Sequence, residues 1–496
     1  MFDELKKLLK HTTIYGLGTV LGKMLGFFMI PFYTHYLSPA DYGTLELLDL
    51  SASLVGLVLT MWLNASIIRH YNDFSDTQER RQAISTIMAL AFGIGVAVAI
   101  FGSWFSRPIS ALILSSESYH FYVTLEAVLF LVNSVYVVCL SYMRARQLSV
   151  LVVGSSLVSL VLSLFLNIYF IGIRHVGVIG VLYSSLLSGT LITVVLAVYT
   201  IREIGIGFSY SKVRTVVTFG APLMLTSATG FVVNFSDRFF LRHFSTISTV
   251  GVYALGYKFG LMLSLLIVQP FDMIWQARLY EIGKRDQSGR TFARLFEYYC
   301  FVLVAAALAL SIGIKELLFV ISPPEFHGAY TVVPIVAAAY IFQGANRFFL
   351  AGTYIAKKTL PLGAVGVVCA GANIGLNLLW IPRYGMLGAA WATLVSFLLM
   401  SALAWYVSQR AYYIPYAFSR VAILLACGTL LYVVSRFVNV RFLGLQVFLK
   451  CCLLAMFPIA LYLAGFFSQQ EVEKGKALAY EILGRYSLLS AADSGR

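Results

Sequence analysis

The feature that most constrains this chain is a series of long apolar stretches with little polar sequence between them. Each is about as long as the ~20 residues that a helix needs to cross a bilayer. A window of that length finds about 14 such stretches. They cover residues 12–37, 43–68, 84–105, 119–142, 149–171, 177–200, 217–242, 250–276, 293–314, 328–354, 360–381, 385–408, 417–435 and 443–467. The chain is therefore predicted to be an all-α integral membrane protein with about 14 transmembrane helices.

Composition argues against a soluble protein. Of the 496 residues, 59% are hydrophobic and only 12% are charged, which is far from the balance of soluble domains. The net charge of +14 falls mainly on the segments between spans, so nucleic acid is not expected as a partner. The six cysteines lie inside apolar stretches as packing residues, and the seven histidines show no metal-binding spacing. Neither a metal nor a cofactor is predicted.

The distribution of basic residues predicts the orientation. With the N-terminus in the cytoplasm, 24 of the 36 Lys and Arg residues fall on inner segments and seven on outer ones. The remaining five lie within spans. Because basic residues concentrate on the cytoplasmic side of membrane proteins, this bias places both termini in the cytoplasm. The predicted location is the cytoplasmic (inner) membrane.

A weak internal repeat divides the chain. Shifting the sequence by 208 residues lays VGVIGVLYSSLLSG, which starts at Val176, over YGMLGAAWATLVSF, which starts at Tyr384. The same shift aligns Gly43 with Gly251. Because each repeat holds an even number of spans, the two repeats have the same orientation in the membrane. The predicted units are an N-terminal six-helix bundle (1–201), a C-terminal six-helix bundle (215–409), two additional transmembrane helices (416–467) and a cytoplasmic tail (468–496).

The first span has the features of a moving part. Gly18, Gly22 and Gly26 recur every four residues and would lie on one helix face, where a neighbouring backbone can approach closely. Lys23 lies near the middle of the span, and a charge there costs at least ~2.5 kcal/mol unless it faces protein or water. Pro31 marks a position where a membrane helix can bend. These residues are predicted to form a hinge in a helix that faces the substrate.

Several segments together resemble a known family. They are LGKMLGFFMIPFYTHYLSPADYGTLELL near the N-terminus, APLMLTSATGFVVNFSDRFFLRHF in the seventh span, and GANIGLNLLWIPRYGMLGAAWATLVSF later in the chain. With the layout of six, six and two spans, they resemble the multidrug/oligosaccharidyl-lipid/polysaccharide exporter superfamily. Within it, the chain looks most like a Wzx-type polysaccharide or O-antigen flippase.

The resemblance implies a function and partners. Such a flippase moves a polyprenyl-diphosphate-linked glycan from the inner to the outer leaflet, for the synthesis of lipopolysaccharide O-antigen, exopolysaccharide or another surface polysaccharide. Two helical bundles would form a V around a cavity that opens alternately to either side. Membrane lipid, a polysaccharide polymerase and a chain-length regulator are the partners that this role implies.

Charged residues within spans are the candidate functional groups. Four cations lie in spans 1, 7, 8 and 10 and would bind the diphosphate in a central cavity: Lys23, Arg238, Lys258 and Arg347. The alternative is that they only neutralise nearby carboxylates. The acids at similar depth would pair with these cations or bind H⁺ or Na⁺ to couple transport to an ion gradient. They are Glu46, Asp49, Glu126, Asp237 and Asp272.

Three other functions remain open at this stage. A drug/cation antiporter of the same fold would want an acidic cavity, and the excess of cations at depth argues against it. A membrane-embedded polysaccharide polymerase or ligase would be expected to carry a long outer loop with clustered functional residues. Because no such loop is found, the chain is predicted not to be an enzyme. A flippase for a peptidoglycan precursor would use the same chemistry as the favoured function.

Overall fold

The computed structural model describes residues 22, 26–73, 76–284, 288–358, 360–438, 440, 442–467, 469, 471 and 473. In this part of the chain the regular structure is helical, without a strand. Eleven of the described helices are long and apolar enough to cross a membrane. The all-α membrane class predicted from the sequence is confirmed, and the count of about 14 spans stays a prediction.

The helices follow one another with short connections. In the first half they are α1 (26–36), α2 (Pro39–Leu59), α3 (Met61–Asp73), α4 (Thr77–Trp104), α5 (Ser106–Leu114), α6 (His120–Ala145), α7 (Ser149–Asn167) and α8 (Val178–Ile204). In the second half they are α9 (Tyr210–Phe235), α10 (Asp237–Phe244), α11 (Ile247–Leu263), α12 (Gln269–Gly283), α13 (Ser288–Ile321), α14 (Val333–Phe349), α15 (Ala351–Ile355), α16 (Leu360–Ala411), α17 (Phe418–Phe437) and α18 (Leu443–Leu463).

The helix starts and breaks follow from the local sequence. Ser38 caps α2 in a capping box with Asp41, and Pro39 takes the first helical position, where its missing N–H costs nothing. Helix α16 has 52 residues and would be ~78 Å long if unbroken, against a hydrocarbon thickness of ~30 Å. Gly385 breaks it with a φ of 55°, a conformation that glycine adopts readily. The break falls on the first residue of the predicted span 385–408, directly after the gap that separates it from span 360–381.

Residues matched by the repeat have matching structures. Gly177, the partner of Gly385 at the shift of 208 residues, has φ 65° and ψ −137°, close to 55° and −132° at Gly385. Gly43 and Gly251 lie against each other where α2 crosses α11. A Cβ added to either glycine would lie 2.9 Å from the backbone nitrogen of the other. The two glycines thus meet symmetrically, as expected on a pseudo-two-fold axis.

Buried apolar residues form two main clusters. One is built from residues 62–216, and the other mostly from residues beyond 232. The second cluster includes Leu424 and Leu431 of α17 and Phe457 and Leu461 of α18. The last two helices therefore pack against the second half of the chain. The predicted boundaries of the bundles and the tail stay predictions.

Candidate functional site

The centre of the candidate site is a buried arginine at the junction of α9 and α10. Arg238 is 1% exposed. Its guanidinium points back along the helix, and Nη1 donates to the backbone oxygen of Asn234 (2.7 Å) and to Oδ1 of Asp237 (2.6 Å). On a regular helix, neighbouring residues point ~100° apart, but the long arginine stem reaches its neighbour's carboxylate. Asp237 is therefore the nearest counter-charge of Arg238.

A glutamate from the first half of the chain joins this arginine to a lysine. Glu46 of α2 has Oε1 3.7 Å from Nε of Arg238 and Oε2 3.2 Å from Nζ of Lys258 in α11. Lys258 also donates to the Tyr42 hydroxyl at 3.1 Å. Tyr42 and Glu46 are four residues apart and share a face of α2. One carboxylate therefore holds two cations of the second half against the first half.

Aromatic rings enclose the arginine. Its guanidinium carbon lies 3.7 Å from the centre of the Tyr257 ring and 5.1 Å from that of Tyr253. The Tyr253 hydroxyl donates to Asp237, and the Tyr340 hydroxyl is 3.2 Å from that of Tyr257. These contacts stabilise a desolvated cation, but they also cover it.

Lys258 is far more accessible than Arg238. Its side chain is 43% exposed, whereas that of Arg238 is 1% exposed. An anion arriving in this conformation would therefore meet the ammonium group first. Reaching Arg238 would require displacement of Glu46 or of the surrounding tyrosines.

Arg347 belongs to a separate ion pair. Its Nε lies 3.1 Å from Oδ2 of Asp272, and the two side chains are 37% and 20% exposed. The pair joins α14 to α12. All three predicted cations in the described part of the chain therefore contact carboxylates, as the alternative interpretation expected. Substrate binding by these cations stays a prediction.

Two of the predicted acids lie elsewhere. Asp49, three residues after Glu46, and Glu126 of α6 line a cavity of about 520 Å³ in the first half of the chain. Among the described residues, no cation forms an ion pair with either acid. These two carboxylates differ in this respect from Glu46, Asp237 and Asp272.

The predicted hinge falls partly beyond the described residues. Gly18 and Lys23 lie outside them. At Gly22 and Gly26, no heavy atom is found within 4 Å of an added Cβ in the described structure. The close helix approach expected at these two glycines stays a prediction, and the described structure shows one between Gly43 and Gly251. Pro31 lies within helix α1, and bending there stays a prediction.

Other polar residues at membrane depth join helices. Asn373 accepts from Ser236 (3.1 Å) and Asn377 (3.0 Å) and donates to Ser396 (3.0 Å). Thr393 lies 3.3 Å from Asp237. This network connects α10 to both parts of α16, which is the interhelical role expected for asparagines in membranes.

Tyr340 and the packing role of Tyr42 are parts of the site that the sequence analysis missed. Both residues are buried and supply hydroxyl groups to the charged cluster. For Tyr42, the available signal was its position four residues before Glu46. For Tyr340, more than eighty residues from its partner Tyr257, no local pattern points to the contact.

The fold and these charges define a class of protein. It is a multi-pass membrane protein with the fold of the multidrug/oligosaccharidyl-lipid/polysaccharide superfamily. One similar solved structure is the lipid II flippase MurJ in an inward closed conformation, with a TM-score of 0.76, 11% identity and coverage of 92% of this chain and 100% of that one. Another is an inward-facing multidrug resistance MATE transporter of the MOP superfamily, with a TM-score of 0.60, 12% identity and coverage of 84% and 96%.

The chain belongs to the family described as polysaccharide biosynthesis proteins, which it matches over residues 8–274. A related protein, Lsg locus putative protein 1 of Haemophilus influenzae, is 22% identical over 276 residues. That match covers 53% of this chain and 63% of the relative, so it spans less than two thirds of the relative's length. The resemblance inferred from the sequence is confirmed at the level of the family, and the fold is similar to those of the solved flippase and MATE transporter.

Proposed function

We propose that the protein is a flippase that moves a polyprenyl-diphosphate-linked oligosaccharide from the inner to the outer leaflet by alternating access. The observation that carries the proposal is the bridge from Glu46 to Arg238 and Lys258, which joins the two halves of the chain through two cations at membrane depth. Family membership and fold agree with a transporter of a lipid-linked substrate. Family membership and fold also favour a transporter over a polymerase or ligase.

The bridge suggests how substrate binding opens the molecule. A diphosphate carries more negative charge than one carboxylate and presents several acceptor oxygens to Lys258 and Arg238. It would compete with Glu46 for these cations, with Lys258 as the first contact because its side chain is the exposed one. Once Glu46 is displaced, α2 loses its ionic contacts to α10 and α11. Lys23 is predicted to join Arg238 and Lys258 as a further cation of this centre.

The surroundings of the substrate follow from the same proposal. The glycan would occupy the cavity between the halves, and the polyprenyl tail would stay in lipid. The protein would lie in the cytoplasmic membrane with both termini in the cytoplasm. A polysaccharide polymerase and a chain-length regulator would act on or with the exported unit.

We assign ion coupling to Asp49 and Glu126. Glu46, Asp237 and Asp272 each contact a basic side chain. A carboxylate held by a cation gains little from binding H⁺ or Na⁺, because its charge is already compensated. Asp49 and Glu126 line a cavity, and neither forms an ion pair with a cation in the described structure.

The same two acids support a second candidate function. A cavity of about 520 Å³ with two carboxylates could take an organic cation, as a drug/cation antiporter of this fold would. The two cations that join the halves, of which Lys258 is exposed, favour the flippase. Loss of a flippase should cause lipid-linked glycan to accumulate, whereas loss of an antiporter should increase sensitivity to cationic drugs.

The test uses a strain that lacks the protein. Complete lipid-linked glycan units should accumulate on the inner leaflet, and the wild-type protein should clear them. Lys258→Gln should slow clearance by roughly 10-fold, because it removes a charge-assisted contact to phosphate. Lys258→Arg should retain most of the activity.

Lys284→Gln is the matched control, because Lys284 is an exposed lysine at the end of α12, away from the cluster. Clearance by Lys258→Gln at the wild-type rate would contradict the role of the cation. Absence of accumulation, together with greater sensitivity to cationic drugs, would instead identify the antiporter.

A further inference from the structure

The polar ends of three helices in the first half form a pocket of about 300 Å³. Arg80 and Arg81 lie in the first two turns of α4, Arg146 directly follows α6, and Arg202 lies in the last turn of α8. Glu203 is the one acid among the described residues that line the pocket. Four guanidinium groups against one carboxylate make this pocket strongly cationic.

Two of the four arginines have partners inside the pocket. Arg146 forms an ion pair with Glu203, whose carboxylate also accepts a hydrogen bond from the Tyr142 hydroxyl at 3.0 Å. The guanidinium of Arg80 lies over the Tyr71 ring, 4.8 Å from its centre. These contacts hold the walls of the pocket in place.

The other two arginines are available to a ligand. Arg81 and Arg202 are exposed, and neither is paired with a carboxylate within the described ranges. A guanidinium group presents a planar fork of donors that matches two phosphate oxygens. The two side chains can therefore hold a phosphate without first giving up a counter-ion of their own.

An apolar groove of about 800 Å³ begins where the pocket ends. Ile204 lines both, and the groove continues between α4, α6 and α8 as far as Thr190. These two residues are fourteen positions apart on α8, which is ~21 Å along a helix. One leaflet of hydrocarbon is about 15 Å thick, half of the ~30 Å core. The groove is thus long enough to follow an acyl chain through one leaflet.

The rim of the groove is anchored to α4. Gly205–Phe208 follow α8 and line the groove. The Ser85 hydroxyl donates to the backbone oxygen of Gly207 (2.6 Å) and accepts from its nitrogen (2.7 Å). The rim belongs to the connection between α8 and α9, which links the two halves of the chain. A molecule in the groove would therefore contact this connection directly.

We propose that the pocket and groove together bind one anionic phospholipid of the inner leaflet. Its phosphate would lie between Arg81 and Arg202, and an acyl chain would follow the groove along α8. An uncharged lipid would leave the arginines uncompensated, and free phosphate would leave the groove unused. This site contains none of the residues of the Glu46 cluster. Its occupation would hold α4, α8 and the α8–α9 connection together.

The test measures lipid binding by the full-length protein in nanodiscs. The protein is purified free of anionic lipid, reconstituted in phosphatidylcholine and titrated with phosphatidylglycerol. Native mass spectrometry counts the bound anionic lipids, and thermal unfolding reports the stabilisation. One saturable site is expected in the wild type. Arg81→Gln combined with Arg202→Gln should weaken it at least about tenfold, whereas Arg144→Gln, an exposed arginine outside the pocket, should not.

A second pair of variants tests the groove. Val194→Trp fills it and should also weaken binding about tenfold, while Val198→Trp places the same bulk at an exposed position of α8 that does not line the groove. Unchanged affinity in the arginine double variant would overturn the proposal. The proposal would also be overturned if Val194→Trp bound phosphatidylglycerol as tightly as the wild type and inorganic phosphate displaced this lipid. That result would mean that the site binds the headgroup alone. Preferential binding of a polyprenyl phosphate over phosphatidylglycerol would instead make this a loading site for substrate.

Discussion

Replacing Gly43 by alanine is expected to push α2 away from α11. A Cβ at this position would lie 2.9 Å from the backbone nitrogen of Gly251 and closer still to the backbone oxygen of Ile247. Backbone atoms cannot turn aside as a flexible side chain can, so the two helices must separate. Overpacking of this kind costs ~1–3 kcal/mol.

This overpacking destabilises only the conformation in which the two halves touch at the crossing of α2 and α11. If the alternative conformation separates α2 from α11 at this crossing, its population relative to the present one should rise ~5–150-fold. The crossing lies at the ends of the helices that are predicted to face outward. Gly43→Ala should therefore favour opening on the outer side.

Distances between spin labels can measure this opening. Glu117→Cys and Glu325→Cys would place labels at exposed sites in the two halves, in a background whose native cysteines are replaced by serine. Pulsed EPR in nanodiscs should show a longer and broader distance distribution for Gly43→Ala. Gly93→Ala is the matched control, because a Cβ there meets no heavy atom within 4 Å.

The reasoning would be refuted by identical distance distributions in Gly43→Ala and the unsubstituted protein. It would equally be refuted if Gly93→Ala produced the same change. In either case the contact between the repeat-related glycines would not resist separation of the two halves.

Two further predictions concern stability. Lys450→Met leaves Glu316 without the ammonium that lies 2.7 Å away, so the free energy of unfolding in detergent should fall by about 3–5 kcal/mol. Adding Glu316→Gln should recover most of this loss. Equal stability of the single and double variants would contradict this prediction. Gly385→Ala forces alanine to adopt a φ of 55°, which should lower the free energy of unfolding by ~1–3 kcal/mol. Gly371→Ala is the control, because the added Cβ meets open space, and it should be neutral or stabilising. Thermal unfolding of the two variants side by side measures the difference, and similar midpoints would show that the break at Gly385 is not strained.

Much of the fold was predictable because its determinants are local. Apolar length alone predicts membrane helices, since every backbone group in lipid must be satisfied within its own segment. The repeat was visible through a few glycines, and two matched ones, Gly177 and Gly385, share a backbone conformation. Charges within apolar stretches stood out because they are costly there. The sequence thus identified Arg238, Lys258 and Glu46 as candidates, without indicating how they pair.

The pairing depended on tertiary structure, because the partners are far apart in the chain. Glu46 meets Arg238 and Lys258 only when α2 packs against α10 and α11. Packing within the second half covers Arg238 with tyrosines of α11 and α14 and leaves Lys258 accessible, a difference that residue type cannot predict. Asp49, one turn from Glu46, faces a cavity instead. Composition and periodicity therefore determined that this is a helical membrane protein with a few charges inside its spans. Helix packing decided which of these charges are neutralised, because electrostatic energy depends on distances that only the folded chain sets.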